Sequence, residues 1–418
     1  MASSLESLPT ELLAMIATEC VIKRDHEDPD VDALLLLRQT SRTIQGATRG
    51  VLLRTCFVCR YVFLSVAKLT ELRDMSSIPE FSKRVNTLRF VCRSKEVLLS
   101  TREGDQMQLI ETAKNNPDRE IHTLEAGFLL VAALRQFSGL RDIVFQDQMC
   151  KPKSPICPGD LPVDVSDTID FVLLALQACC LRPSKLWIIP SGSKSPNIAI
   201  CNFRSISPFA NVISAVESYR LVPGTRSVSD NRDMRPFETG QQIADNLRMM
   251  SSLNSLEIDF SQYRKGAKLL DTLAEHVHLE HLGSIRLARL NCDITAVTKI
   301  LCNHAPTLTL CSLTAIASTK ASHTAKYREL FVMLRDRFEL RRLELKCLLA
   351  DHRPRASILK FPLLEGVTVG EEPDEDGFMV VELSRKVLLG GRKRVKKGID
   401  DMLNSMQWVP VKKHMSHT

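Results

Sequence analysis

A few stretches of the sequence hold residue types that could do chemistry. Cys56-Phe-Val-Cys59 has the gap of a metal-binding cysteine pair, but a tetrahedral site needs two more ligands and no second pair stands at a suitable distance. Cys150 and Cys157 bracket a proline- and lysine-rich loop with no histidine nearby. EHVHLEHL (275–282) gathers His276, His278 and His281 with Glu275 and Glu280. Their i, i+2, i+5 spacing scatters three imidazoles around a helix. The stretch reads instead as a helix end, where the dipole favours histidine. SGSKS (191–195) lacks the G-K-[ST] ending and the following helix of a phosphate loop. There is no H-E-x-x-H and no nucleophile elbow. The expectation is a chain that binds and does not catalyse, with no cofactor and no metal.

Binding residues need a frame, and the chain opens on an unusual one. In LESLPTELLAMI (5–16), Pro9 suits a first helical turn, where its missing N–H costs nothing. Leu8 then falls at the cap, a position that prefers Ser, Thr, Asp or Asn. At about 100° per residue, Leu8, Leu12, Leu13, Met15, Ile16 and Ala17 sweep roughly 200°, about twice what one core uses. Either the helix serves its own domain and a partner, or it is buried on both sides. Three short helices are predicted over residues 1–56, with a charged loop KRDHEDPDVD (23–32) after the first. ALLLLRQTSRTIQGATRGVLLRT (33–55) comes next, interrupted at Gly46 and Gly50, and YVFLSVAKLTELRDMSS (61–77) reads as one more amphipathic helix.

From about residue 85 short strands of the form L-x-x-L-x-L recur. They are VNTLRF (85–90), LRDIVF (140–145), LNSLEI (253–258), LGSIRL (282–287), LCSLTA (310–315) and LRRLEL (340–345), with SKLWII (184–189) and ISAVES (213–218) as looser versions. Taking Leu256, Ile285, Leu313 and Leu343 as markers gives spacings of 29, 28 and 30. Helical patterns lie between them. A strand plus helix of about 28 residues is a leucine-rich-repeat type of unit, which buries its apolar face only by stacking. The fold class expected is α/β: a small three-helix N-terminal domain, then an irregular leucine-rich-repeat-like solenoid with a parallel sheet. A compact α/β domain would alternate strand and helix too. In the repeat register Leu186 and Ile188 point inward, so Trp187 projects from the opposite face, where it could anchor a partner. Arg89, Glu257, Asp259, Arg286, Glu344 and Lys346 share that face. Their mixed signs suggest a polar protein-binding surface, with Trp187, Glu257, Arg286 and Glu344 as candidate substrate contacts.

The net charge of +7 has an address. Residues 384–418 hold nine Lys/Arg and two Asp/Glu, which leaves 47 of each elsewhere. The body is neutral, so neither nucleic acid nor membrane is expected as a partner. Arg392, Lys393, Arg394, Lys396 and Lys397 crowd into six positions of a basic tail, a pattern similar to a nuclear import signal. Residues 1–20 show no basic leader followed by an apolar run. The longest apolar run, DFVLLALQACCL, falls short of the ~18 residues of a membrane span. With 13 cysteines, this places the chain in a reducing compartment, cytoplasmic and/or nuclear.

Leu8-Pro9-x-Glu11-Leu12-Leu13-x-x-Ile16, then LLLLRQTSRTIQG (34–46), then ATRGVLLRTCFV (47–58) resemble the F-box domain of fungal proteins. The tract running to VNTLRFVC (85–92) is similar to the segment beyond the F-box in fungal members. Ile44 stands where many members carry Trp, and the loop Lys23–Val31 is longer and more charged than usual. The boundaries implied are 1–58 for the F-box, 59–84 for a connecting helix, 85–383 for the repeats and 384–418 for the tail. The resemblance implies a substrate-recognition adaptor of an SCF-type cullin–RING ubiquitin ligase. The F-box would dock on the Skp linker subunit through Leu8, Pro9, Leu12 and Ile16, helped by Leu37 and Ile44. The repeats would hold a protein substrate. Such an adaptor is no enzyme: it places a substrate lysine near the ligase-bound conjugate, an effective-concentration effect. The competing reading is a ligase-independent scaffold or nuclear regulatory interaction protein whose N-terminal helices merely cap the repeats. Exposure of Leu8, Pro9 and Leu12 would separate the two.

Overall fold

The computed structural model describes residues 5–21, 31–92, 125–147, 165–189, 209–222, 236–260, 266–318, 323–352, 355–360, 381–383 and 386–410. The Cys150–Cys157 loop, SGSKS and most of the charged loop after the first helix lie outside them. The chain divides into two units, residues 1–146, 150–163 and 171–181 in one and 147–149, 164–170 and 182–418 in the other. It is an α/β protein with a mostly parallel sheet. Among the described residues no helix is long and apolar enough to cross a membrane.

The first unit opens with helices α1 (Thr10–Val21), α2 (Val31–Gln39), α3 (Arg42–Ala47) and α4 (Arg49–Cys56) after a single 3-10 turn at Leu5–Ser7. Pro9 precedes α1: its carbonyl accepts from the Leu13 N–H at 3.1 Å, so Pro9, not Leu8, holds the cap position. The stretch 33–55, expected to be interrupted at Gly46 and Gly50, breaks instead at other residues, into α2, α3 and α4. The first break is at Ser41, whose Oγ accepts from the Ile44 N–H at 3.2 Å and starts α3. The second is at buried Thr48, whose hydroxyl donates to the Ile44 carbonyl at 2.6 Å. Gly50, expected as an interruption, sits inside α4. Side-chain capping decides these ends, and the glycines do not. Ala17, Leu34 and Val51 form the small core, with Ala14, Leu37 and Leu52 packed against it.

A strand follows where a helix was expected. β1 (Cys59–Val62) pairs in parallel with β2 (Thr87–Cys92), Tyr61 opposite Arg89. Tyr and Val favour a half-buried pleated surface. α5 (Val66–Ser76) begins only after Ser65, whose Oγ accepts from the Lys68 N–H at 3.4 Å. Then come α6 (Pro79–Ser82), α7 (Glu125–Leu134), β3 (Asp142–Asp147) and α8 (Val165–Ala178). Phe90 of β2 stacks on Phe145 of β3, ring centroids 5.8 Å apart, and both are buried.

In the second unit β4 (Lys185–Ile189), α9 (Ala210–Ile213), β5 (Ser218–Leu221), α10 (Pro236–Met249), β6 (Ser255–Asp259) and α11 (Gly266–His276) come first. β7 (Ser284–Ala288), β8 (Asn291–Cys292), α12 (Ile294–Cys302), β9 (Leu310–Thr314), β10 (Ala317–Ser318) and α13 (His323–Arg337) continue the alternation. β11 (Arg342–Lys346), β12 (Leu349–His352), β13 (Arg355–Lys360), β14 (Val381–Leu383), β15 (Lys386–Gly390), α14 (Arg392–Ser405) and β16 (Gln407–Pro410) complete it. Strands β4, β5, β6, β7, β9 and β11 lie side by side in parallel, and β15 and β14 close the ladder antiparallel. Helices α10 to α14 pack each on the next, so each burial depends on the following unit.

Three expectations need correction. ISAVES is not a strand: Ile213 ends α9, and the strand is Ser218–Leu221. Leu313 is also the wrong marker. Leu256, Ile285, Cys311 and Leu343 stand opposite one another, so the units measure 29, 26 and 32 residues. With both i and i+2 apolar and buried, the sequence alone left the register open by one pleat pair. The third concerns the basic tail, of which residues 386–410 are folded. It supplies β15, α14 and β16, with Val395, Ile399, Met402 and Leu403 of α14 buried.

The strands share a corner. Arg289, Ala315 and Cys347 follow β7, β9 and β11 directly, and all are left-handed at φ 55°, 53° and 54°. Each turns the chain into a short strand of a second sheet, in which β8, β10 and β12 are parallel. The ladder continues through the corner: Arg289 N–H donates to the Thr314 carbonyl, and Ala315 N–H to the Lys346 carbonyl, both at 2.7 Å. A Cβ in this conformation costs about 1–2 kcal/mol, and a β-branched side chain adds a comparable strain of its own. Ala315→Val should therefore lower the unfolding free energy by about 1–2 kcal/mol in urea, while Ala315→Gly stays within about 0.5 kcal/mol of the parent, strain relief offsetting the freer unfolded chain.

Candidate functional site

Alternation along the parallel strands buries Leu186, Tyr219, Leu256, Ile285, Cys311 and Leu343, each at 2% exposure or less. Their next neighbours must point the other way. Trp187, Arg220, Glu257, Arg286, Ser312 and Glu344 therefore form one continuous row across six strands. Trp187, Glu257, Arg286 and Glu344 were expected on this face, and the register brings them into line. Arg220 and Ser312 were missed. The misplaced strand at ISAVES hid Arg220, and the marker slip hid Ser312.

The row is an alternating ladder of charge. Arg220 Nε lies 3.2 Å from Glu257 Oε1, at an angle that makes no hydrogen bond. Arg286 reaches Glu257 at 3.8 Å on one side and Glu344 at 3.7 Å on the other. β9 lies between β7 and β11, so the Arg286–Glu344 pair spans a strand. Only a small residue fits beneath it. Ser312 is that residue, 1% exposed, its hydroxyl without a hydrogen-bond partner among the described residues. Trp187 ends the row. Its indole N–H donates to Ser218 Oγ at 3.2 Å, with Lys185 Nζ 5.6 Å and Arg220 Cζ 6.0 Å from the ring centroid. Cations on its ring and a row that balances its own charge suit a partner that brings polar groups to an aromatic anchor.

Two other residues expected on this face, Asp259 and Arg89, have local partners. Asp259 is buried, and Arg289 from the neighbouring corner grips it with both ends of its guanidinium, Nε at 2.8 Å from Oδ1. Arg89 lies in the other unit, its guanidinium over the Tyr61 ring at 5.6 Å. Lys346 is exposed.

The three histidines of EHVHLEHL do not converge. His276 ends α11, and His278 and His281 are exposed beyond it. Among the described residues no group of three or more His, Cys, Asp or Glu is placed to hold a metal ion. Burial pushes the Cys292 and Cys311 thiols up to about 12, so neither is a thiolate at neutral pH. The sequence reading missed His304, which is 2% exposed and stacks under His278 with centroids 5.9 Å apart. Its Nε2 accepts from the Leu279 N–H at 3.1 Å, which leaves Nδ1 to donate to the Ile300 carbonyl at 2.9 Å. It pins the turn after α11 to α12.

The N-terminal helices present a second surface. Leu13 and Ala17 face the core, at 3% and 0% exposure. Leu12 is 44% and Met15 63% exposed, and with half-buried Leu8 and Ile16 and with Glu19 they line one open apolar concavity. Pro9 is exposed beside them. Leu35 and Leu36 of α2 are exposed too. Of the two residues expected to help, Leu37 is partly committed to the core and Ile44 is 2% exposed. Ile44 is thus a core residue of α3, and its expected part in docking is withdrawn. The five basic residues of α14 are all exposed.

No protein family and no curated protein matches the sequence. Among solved structures, a chain of the Rad7 and Elc1 complex in yeast is similar over 83% of this chain and 93% of its own, at 11% identity and a TM-score of 0.24. A likeness of that size leaves the assignment of function to the chain's own residues.

Burial, offset in part by the Ile300 hydrogen bond and abetted by the His278 charge, holds the His304 pKa below its ordinary value. The unfolded chain therefore takes up this proton first as pH falls. The His304 contribution should be complete above about pH 6.5 and decline below it. Urea midpoints at pH 7.5 and 5.5 check this: His304→Asn should be less stable at pH 7.5 and lose less on acidification than the parent.

Proposed function

We propose that the chain is a non-catalytic adaptor of an SCF-type cullin–RING ubiquitin ligase. One observation carries the reading. The first helix satisfies its own core with Leu13 and Ala17 and leaves Leu8, Pro9, Leu12, Met15 and Ile16 at an open apolar surface. Burying an exposed leucine or methionine is worth about 1.5–3 kcal/mol, so the surface suits an apolar partner. The partner proposed is the Skp linker subunit, because Leu-Pro-x-Glu-Leu and the order of the helical segments after it resemble an F-box. Strand–helix units of 29, 26 and 32 residues whose helices pack each on the next support reading the second unit as an irregular leucine-rich-repeat-like solenoid, and Trp187 with its row is the proposed seat of a protein substrate. The chain would hold the substrate near the conjugate and do no chemistry itself.

Exposed positions separate docking from folding. Leu12→Asp with Met15→Asp should leave the thermal unfolding midpoint within a few degrees of the parent, since both side chains already meet water. The same pair should weaken co-purification with the Skp subunit by about thirtyfold or more, a hot-spot loss of about 2 kcal/mol. Undiminished co-purification would overturn the adaptor reading. Leu13→Asp, at a buried position, should instead unfold the helical domain.

A further inference from the structure

The adaptor reading makes no use of the chain's densest charge. The fold holds that charge on a helix, where the sequence suggested a tail. Arg392, Lys393, Arg394, Lys396 and Lys397 are the exposed residues of the first turns of α14. The fold adds Arg341 to them from fifty residues away: the Gly391 N–H donates to its carbonyl at 2.8 Å, and it is exposed.

This arrangement works against its own helix. The first turn already carries unfilled N–H groups and the positive end of the dipole, which disfavour cations. Arg392/Lys396 and Lys393/Lys397 are like charges at i, i+4. Glu339 relieves part of this, pairing with Arg392 and lying 3.6 Å from Lys396 Nζ. Lys393, Lys397 and Arg341 have no carboxylate partner among the described residues. Asp400, one turn on, is taken by Arg335 at 2.9 Å, and Asp401, four residues after Lys397, makes no ion pair with it. Cations that repel one another and the helix end point to an anion from outside.

The surroundings choose the anion. Anionic lipid would attract the same cations, but stable seating on a bilayer takes a second, apolar signal, and the apolar face of α14 lies against β15, where a Cβ on Gly398 would fall 2.6 Å from Leu389 Cδ1. A protein partner would be expected to find an apolar centre within a charged rim. Among the described residues, none of the large exposed apolar side chains lies beyond Phe128. A phosphate backbone needs only cations and N–H donors. We infer that the N-terminal end of α14, with Arg341, binds the phosphate backbone of nucleic acid without regard to sequence. The neutral charge of the rest of the chain, which argued against such a partner, is an average that the fold does not respect.

The test uses the full chain and a labelled 20-base-pair DNA duplex of arbitrary sequence, followed by fluorescence anisotropy from 50 to 200 mM NaCl. Neutralising about three phosphates predicts a slope near −3 in log K against log salt, roughly a fiftyfold loss over that range. Lys393→Gln with Lys397→Gln and Arg341→Gln should weaken binding at 50 mM at least tenfold and flatten the slope by about 2–3. The same variant should melt no lower than the parent, because the removed charges oppose the helix. Lys393→Gln alone gives a smaller loss in the same direction should the triple variant fail to fold. Leu12→Asp with Met15→Asp should leave DNA binding unchanged, so this inference and the adaptor reading fail separately. No binding at 50 mM, an unaltered slope in the neutralised variants, or displacement of the duplex by polyglutamate at equal charge would overturn it. The last outcome would assign the surface to an acidic polypeptide.

Discussion

The backbone hydrogen-bond register of the parallel ladder is the constraint on which the rest of the second unit depends. Once Leu256 stands opposite Ile285, and Ile285 opposite Cys311, the alternation of the pleat has no freedom left. The same pairing that buries those residues puts Glu257, Arg286 and Ser312 on a line. The charge ladder is thus the far side of the core, ordered by the same bonds. Its spacing is the spacing of strands, about 4.8 Å. This is why a pair that skips a strand needs two long side chains and a serine between them.

How much of this was legible depended on whether one residue or several carried the signal. Strands with apolar residues at i and i+2 were plain in β2, β3, β6, β7, β9 and β11, because burial on one face demands that pattern. Which of the two apolar residues met which neighbour was not plain in β9, since Cys311 and Leu313 are both buried. β1 was misread as helix because Tyr61, Val62 and Phe63 run directly into a helical stretch. The boundary rests on one serine hydroxyl at Ser65. The left-handed corners carried no signal: Arg, Ala and Cys occupy positions where glycine would have announced itself.

The candidate surfaces divide in the same way. The apolar excess of the first helix could be counted from the sequence, and the structure leaves Leu12 and Met15 exposed while Ile44 turns inward. Ile44 sits two residues past the start of α3, and the Ser41 cap sets the direction of its side chain. The basic cluster was visible as composition but not as shape. Val395, Gly398 and Ile399 recur at helical spacing among the cations, yet the density of charge suggested a solvated segment. His304 was invisible for another reason: a lone histidine becomes structural only through a backbone N–H and a carbonyl that the fold brings to its two nitrogens.

The reversal of direction at β15 governs growth as well as packing. A further strand–helix unit stacks only on a parallel neighbour with an open edge, and β11 has given its edge to an antiparallel strand. Among the described residues the border beyond it is β14, three residues long. So short a border offers an incoming strand too few backbone partners to hold it. The array can therefore be lengthened by insertion between existing units but not by addition after the last. Two copies of the chain meeting at that border would find little with which to join their ladders end to end.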